Sequence, residues 1–263
     1  MVSPRVKGVV VIARTRTSMR HAAALGTGAP GAGPEAPVLR SGYLYWVFKV
    51  ILTPIMTVAF RPRIEGIRQV PRTGPAILAC NHTSYLDWLL LPLVVRSRRI
   101  SFLAKLEYFT RRGPKGRAQA YFFTATGQVP IDRGGADAST AALRTAVRLL
   151  TEGRLVGMFP EGTRTRDGRL NRGRTGVARI AAQTGAPVIP CATVGTFKVA
   201  PPGARVPRPR KIDVRFGGAM GPVCLPGTEP TAEELRAWTD ELMTRICALS
   251  GQEYSGVDAV GRT

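Results

Sequence analysis

The stretch AILACNHTSYLDW, residues 76–88, changes character twice along its length. It opens on five apolar residues without polar alternation, the texture of a strand covered on both faces. Asn81 and His82 break the run, and Ser84 followed three residues later by Asp87 reads as a helix start with Ser84 at the N-cap. A strand passing through a short turn into a helix is the unit from which α/β proteins are built. An α/β fold is therefore expected, with this strand inside the sheet.

The texture continues downstream. LVGMFP (155–160) and VIPCATV (188–194) read as further buried strands, whereas IDVRF (212–216) alternates as a half-exposed one. Helices are expected between them, over 139–152 closed by Gly153 and over 176–184 closed by Gly185. After Thr231, the residues Leu235, Trp238, Leu242, Ile246 and Leu249 recur at helical spacing behind a capping box formed by Thr231 and Glu234. No internal repeat is visible. The chain has 263 residues, 44% of them hydrophobic, enough for one core-forming domain over 63–250.

Residues 1–40 carry six basic side chains against one acid, Glu35, and end in the Gly/Pro/Ala-rich run GTGAPGAGPEAP, the composition of a flexible basic tail. The apolar VVVIA within it is too short for a secretory signal, so the tail is expected to be retained. The run GYLYWVFKVILTPIMTVAF, Gly42–Phe60, approaches the ~20 apolar residues of a membrane span, but Lys49 and Pro54 interrupt it. Its aromatic start and the basic flank of Arg61 and Arg63 suit a helix lying in or dipping into a bilayer interface; an ordinary buried core helix is the competing reading. The expected organisation is a basic tail (1–40), a membrane-associating helical segment (41–62), the domain (63–250) and a C-terminal tail (251–263).

The 38 Lys and Arg against 17 Asp and Glu give a formal charge of +21, which calls for anionic partners: nucleic acid, anionic lipid or a phosphorylated substrate. Basic clusters at 96–99, 111–117 and 205–211 keep a nucleic-acid-binding protein open as an alternative, although no aromatic stacking motif accompanies them. Cys80, Cys191, Cys224 and Cys247 show no CxxC spacing, which argues against a zinc ribbon or disulfide framework and fits a reducing cytoplasm. His21 and His82 are the only histidines, too few for a histidine metal cluster. A Walker A loop and the G-x-S-x-G elbow of serine hydrolases are both absent.

Five residues along an ideal helix turn about 500°, which would leave His82 and Asp87 roughly 140° apart. They meet only if His82 precedes the helix, as the strand-turn-helix reading has it. The carboxylate can then fix the imidazole tautomer, so that the other ring nitrogen takes a proton from a hydroxyl. Read alone, the same residues fit a capping box beside a loop histidine equally well. A second stretch, MFPEGTRTRDG (158–168), runs from a strand into a Gly-punctuated loop with Glu161, Arg164 and Arg166, where a guanidinium fork can grip a phosphate in bidentate fashion. GQVPIDRGG (127–135) sets Arg133 just past another strand, and FLAKLEYF (102–109) supplies Lys105 and Glu107.

The succession NHTSYLD, AKLE, GQVPIDR, FPEGTRTRDG and APVIPCATVG resembles the glycerolipid acyltransferases, above all the bacterial 1-acylglycerol-3-phosphate (lysophosphatidate) acyltransferases. The likeness runs from about Arg63 to about Phe216. It implies a mixed β-sheet flanked by helices, the glycerolphosphate acyltransferase-like fold. It implies His82 as general base and Asp87 as its orienting carboxylate, and places Lys105, Arg133, Glu161, Gly162, Thr163 and Arg164 at the acceptor's phosphate and glycerol. Pro190 falls in a motif associated with the acyl donor. Where the family often has a lysine after the third motif, this chain has Arg174.

The expected activity is transfer of a fatty acyl group from acyl-CoA or acyl carrier protein to the hydroxyl of a lysophospholipid. The expected acceptor is 1-acyl-sn-glycerol 3-phosphate, giving phosphatidic acid in phospholipid biosynthesis; another lyso-lipid or glycerol 3-phosphate is the alternative. Such an enzyme needs no metal and no cofactor besides the donor. It would work against anionic lipid at the cytoplasmic face of the cell membrane, without nucleic acid.

Overall fold

A computed structural model of the chain describes residues 42–131, 138–204, 206–223 and 228–257. The basic tail expected over 1–40, Arg133 and Cys224 lie outside the described residues. The first helix, α1, spans Gly42–Phe60, and α2 (Asp87–Val94), the short α3 (Glu107–Thr110), α4 (Gly113–Ala125), α5 (Ala138–Thr151), α6 (Gly176–Thr184), the short α7 (Thr196–Val199) and α8 (Ala232–Ser250) come after it. Seven strands lie between these helices: β1 (Arg63–Glu65), β2 (Ala76–Cys80), β3 (Ile100–Lys105), β4 (Gln128–Ile131), β5 (Leu155–Met158), β6 (Val188–Val194) and β7 (Asp213–Phe216). They form one sheet in the order β1-β7-β6-β2-β5-β3-β4, in which only β6 and β7 run antiparallel. The sheet is mixed, as the motif succession implies.

β2 sits inside the sheet between β6 and β5, and all five of its residues are buried. Its pleat divides them. Ile77 and Ala79 join a core with the helices α5 (Ala138–Thr151), α6 (Gly176–Thr184) and α8 (Ala232–Ser250). Ala76, Leu78 and Cys80 join another with Leu91 and Val94 of α2 (Asp87–Val94). A strand covered on both faces has no side on which a polar residue is solvated, which is why AILAC shows no alternation. β7, next to the edge, buries only Val214 and Phe216 and does alternate. Gly185 ends α6 in a left-handed conformation (φ 66°), and α8 opens with Thr231 and Glu234 bonding each other's backbone N–H groups.

The two faces of α1 differ. Tyr45, Met56 and Phe60 are buried, the latter two against Leu86, Leu90 and Leu93. Lys49, which interrupts the apolar run, is turned inward: its Nζ donates to the carbonyl of Val95 at the C-terminus of α2 (2.6 Å) and lies 4.8 Å from the Trp46 ring. Burial lowers the Lys49 ammonium to about 8, assisted by the positive charge of Arg96. The outward face exposes Tyr43, Trp46, Val50, Ile51, Ile55 and Val58. Among the described residues no helix is long and apolar enough to cross a membrane.

Two expectations need correction. Ser84 is not the N-cap of α2, which begins at Asp87 with Leu86 preceding it. The Ser84 hydroxyl donates to the Ala200 carbonyl (2.8 Å) and accepts the Leu86 N–H (3.2 Å), while the Asp87 carboxylate reaches back to the N–H groups of Thr83 and Ser84. Residues 251–257, expected as part of a tail, are instead hydrogen-bonded along 168–172: the Leu170 N–H donates to the Glu253 carbonyl (2.9 Å) and the Ser255 N–H to the Leu170 carbonyl (2.9 Å). Those backbone groups carry no compositional signal, so the pairing could not be read from the sequence.

Candidate active site

β2, β3, β4, β5 and β6 are mutually parallel, so their C-terminal ends share one edge of the sheet. The motifs that follow β2, β3, β5 and β6 therefore leave the sheet on the same side, where open α/β sheets bind ligands. His82 follows β2, Lys105 ends β3, the loop bearing Glu161 and Arg164 follows β5, and Thr193 is near the end of β6. Lys105, Gly162, Thr163 and Arg164 are exposed.

His82 Nδ1 lies 3.1 Å from Asp87 Oδ2. Three further donors converge on the same buried carboxylate: the N–H groups of Thr83 (2.8 Å) and Ser84 (2.8 Å) on Oδ2, and the Thr193 hydroxyl (2.8 Å) on Oδ1. With Asp87 acting only as acceptor, the ring proton is assigned to Nδ1, leaving the lone pair of Nε2 free to receive a proton. The imidazole retains 16% exposure while Asp87 has none, the arrangement of an outer base on an inner support.

The ring is also fixed by stacking. Phe159 lies parallel to it at 3.9 Å between centroids, and Phe102 stacks on Phe159 at 5.5 Å. Gly157 makes room for that column, because a Cβ there would stand 2.3 Å from the Phe102 ring. Three segments far apart in sequence thus set the orientation of one imidazole.

The backbone of His82 is held as tightly as its side chain. Its N–H donates to Glu161 Oε1 (2.8 Å), and its carbonyl accepts the N–H of Thr165 (2.9 Å). Glu161 Oε2 takes the N–H (2.9 Å) and side-chain amide (2.8 Å) of Asn171. Burial pushes the Glu161 carboxyl up to about 7, against the pull of those donors toward the ionised form. Placed with Thr163 and Arg164 at an acceptor by the motif, Glu161 lies beneath the loop with both oxygens engaged. Its surroundings suit it to bracing His82 against Asn171. Gly162 turns the loop with φ 74°, and a Cβ there would come within 3.0 Å of Arg174 Nε, so Arg174 closes over the loop start.

The structure adds residues that the spacing did not single out: Thr193 on Asp87, Asn171 on Glu161, Phe159 on the imidazole, and Asn81, which receives the Thr193 N–H (2.8 Å) and donates to its carbonyl (3.1 Å). Phe159, Asn81 and Thr193 stood within the quoted motifs. Asn171 gave no local signal.

The chain matches the family model described as Acyltransferase over residues 61–194. It is 32% identical over 146 residues to a chloroplastic 1-acyl-sn-glycerol-3-phosphate acyltransferase of Arabidopsis thaliana, a match covering 55% of this chain and 39% of that one. The chain thus spans about two fifths of that plant relative. Against the 1-acyl-sn-glycerol-3-phosphate acyltransferase of Bacillus subtilis, identity is 26% over 202 residues, covering 76% of this chain and 94% of the relative. Among solved structures, the 1-acyl-sn-glycerophosphate (LPA) acyltransferase PlsC of Thermotoga maritima shares the fold, with a TM-score of 0.57 at 24% identity, covering 78% and 77% of the two chains.

Proposed function

The chain belongs to the acyltransferase family, and from that premise we propose that it acylates the free hydroxyl of 1-acyl-sn-glycerol 3-phosphate, giving phosphatidic acid. The observation that carries this reading is the His82–Asp87 pair at the C-terminal edge of the sheet, braced through Glu161 to the loop of Thr163 and Arg164. His82 Nε2 takes the hydroxyl proton as that oxygen attacks the thioester carbonyl of acyl-CoA or an acyl carrier protein. Asp87 stabilises the imidazolium. Collapse of the tetrahedral intermediate breaks the carbon–sulfur bond, and the departing thiolate receives the proton back from His82. No covalent acyl-enzyme is required. Arg164, with Arg133 and Lys105, anchors the acceptor's phosphate so that the hydroxyl sits in attack range.

An acyl-transfer assay with Arg164→Ala tests the acceptor. A lost charge-assisted bond is worth about 1.5–3 kcal/mol, so KM for the phosphorylated acceptor should rise roughly ten- to hundredfold. A non-phosphorylated lyso-lipid should be little affected, and Arg164→Lys should rescue only in part because a point charge lacks the fork. Equal losses with both acceptors would make Arg164 structural.

The exposed apolar face of α1 supports a place at a bilayer surface and the net charge of +21 favours anionic lipid there; the cytoplasmic side is part of the same proposal. Deleting the helix would also remove Met56 and Phe60 from the core, so the informative variant carries Val50→Glu and Val58→Glu, both on the outer face. Two valines held out of the apolar layer should lower binding to anionic vesicles at least about tenfold, most clearly at high salt, where burial is unscreened. Salt-sensitive binding to nucleic acid by a wild-type chain that ignores vesicles would favour the nucleic-acid-binding alternative instead.

A further inference from the structure

Beyond the family match, which ends at residue 194, the chain returns to the site. Gly251 closes α8 in a left-handed conformation (φ 67°), its N–H bonded to the Cys247 carbonyl, and turns the chain toward the loop after β5. Residues 251–257 then run beside 168–172. Besides the two backbone bonds at Leu170, the Arg172 N–H donates to the Val257 carbonyl (3.1 Å) and Arg169 pairs with Glu253 (3.3 Å).

Gln252 makes the contact that matters for chemistry. Its Oε1 accepts from Asn81 Nδ2 (2.6 Å), and its Nε2 donates to the carbonyl of Gly168 (2.6 Å). The surroundings fix both amide orientations. Thr193 offers Asn81 a backbone N–H and a backbone carbonyl, so Asn81 Oδ1 must face the former and Nδ2 the latter. Asn81 Nδ2 then requires an oxygen from Gln252, whose remaining amide nitrogen meets the Gly168 carbonyl. Gln252 therefore joins the residue before His82 to the far end of the loop that carries Thr163 and Arg164. Glu161 joins His82 to its near end.

We propose that residues 251–257 form a strap that sets the distance between the phosphate loop and the general base, with Gln252 as its positioning residue. This rests on the reading of His82 and Arg164 given above. Without Gln252 the loop would still be held by Glu161 and Thr165 at His82, by the Gly168 N–H on Thr165 Oγ1 (3.1 Å) and by Asn171 on Glu161, but the Gly168 carbonyl would lose its side-chain link to the residue before His82, and with it part of what fixes the intervening arginines relative to the base. A polar strap is a better device here than an apolar one, because the loop offers backbone carbonyls and N–H groups that must find partners where they are buried.

The test is steady-state kinetics on Gln252→Ala and Gln252→Glu. The glutamate variant keeps the size and the acceptor toward Asn81 but sets an oxygen against the Gly168 carbonyl. In both, KM for 1-acyl-sn-glycerol 3-phosphate should rise about tenfold, the scale of losing hydrogen bonds from a positioned loop, with kcat within about threefold and KM for the acyl donor unchanged. A merely structural role would instead raise both KM values together and lower the melting temperature. Amide hydrogen exchange supplies a readout that needs no turnover: segment 162–170 should exchange faster in both variants while α5 and β6 keep their protection. Unchanged exchange in that segment, or an unchanged acceptor KM in a folded variant, overturns the strap. If the wild-type protein acylates no phosphorylated acceptor while both variants still exchange faster over 162–170, the acceptor reading is overturned and the strap stands.

Discussion

His82→Ala should abolish acyl transfer in a protein that still folds. General-base catalysis contributes about 10²- to 10⁴-fold, and the chain's other histidine, His21, lies in the N-terminal segment outside the described residues. The fold should survive because the imidazole sits at the end of β2 with residual exposure, and the bonds that hold this turn go to the backbone of His82, whose N–H and carbonyl remain. What is removed is a ring stacked on Phe159 and one acceptor's partner at Asp87. The slot left beneath Phe159 has the shape of an imidazole, so added imidazole should restore a measurable fraction of turnover. Near-normal turnover by a variant with wild-type circular dichroism would sink the mechanism.

How much of this site the sequence discloses depends on how far each contact reaches along the chain. The strands at 76–80 and 188–194 are legible because burial on both faces leaves an uninterrupted apolar run, and β7, next to the edge and antiparallel to β6, is legible from its alternation. The dyad is legible because His82 and Asp87 are five residues apart and a strand-turn-helix reading brings them together without any tertiary information. Ser84 misled for the opposite reason. The spacing S-x-x-D is compatible with a capping box, and Ser84 Oγ does accept the Leu86 N–H (3.2 Å), but its hydroxyl is also anchored to a carbonyl 116 residues away, on Ala200, and the helix itself starts only at Asp87. Glu161 gives its chemistry away by type and its burial not at all: a carboxylate in E-G-T-R reads as a ligand for substrate until Asn171 and the His82 N–H are found on its two oxygens. Gln252 meets partners 171 and 84 residues distant, in a segment with neither periodicity nor motif. Long-range polar contacts of this kind follow from topology, and only the parallel edge of the sheet makes them neighbours.

Asp87 separates electrostatic support from structural support, and two substitutions should do so in opposite ways. In Asp87→Asn, the amide oxygen can take the place of Oδ2, keeping the N–H groups of Thr83 and Ser84 and the His82 Nδ1–H satisfied. The amide nitrogen then faces the Thr193 hydroxyl, which can rotate to accept. The turn should stay intact, with stability within about 1 kcal/mol, the scale of a modified hydrogen bond. Activity should nevertheless fall by roughly 10²- to 10⁴-fold, because a neutral amide no longer stabilises the imidazolium that forms as His82 takes the hydroxyl proton. Asp87→Ala removes the acceptor outright. It leaves the buried N–H groups of Thr83 and Ser84 unpaired at about 1–3 kcal/mol each, while the Thr193 hydroxyl can still turn to Asn81 Oδ1 (3.3 Å), so melting should drop by several degrees along with turnover. If the pair were only a helix cap beside a loop histidine, the asparagine variant would keep its turnover, since asparagine caps as well as aspartate does. A stable Asp87→Asn protein with wild-type kcat would therefore return His82 and Asp87 to that structural reading and take the general base away from this edge of the sheet.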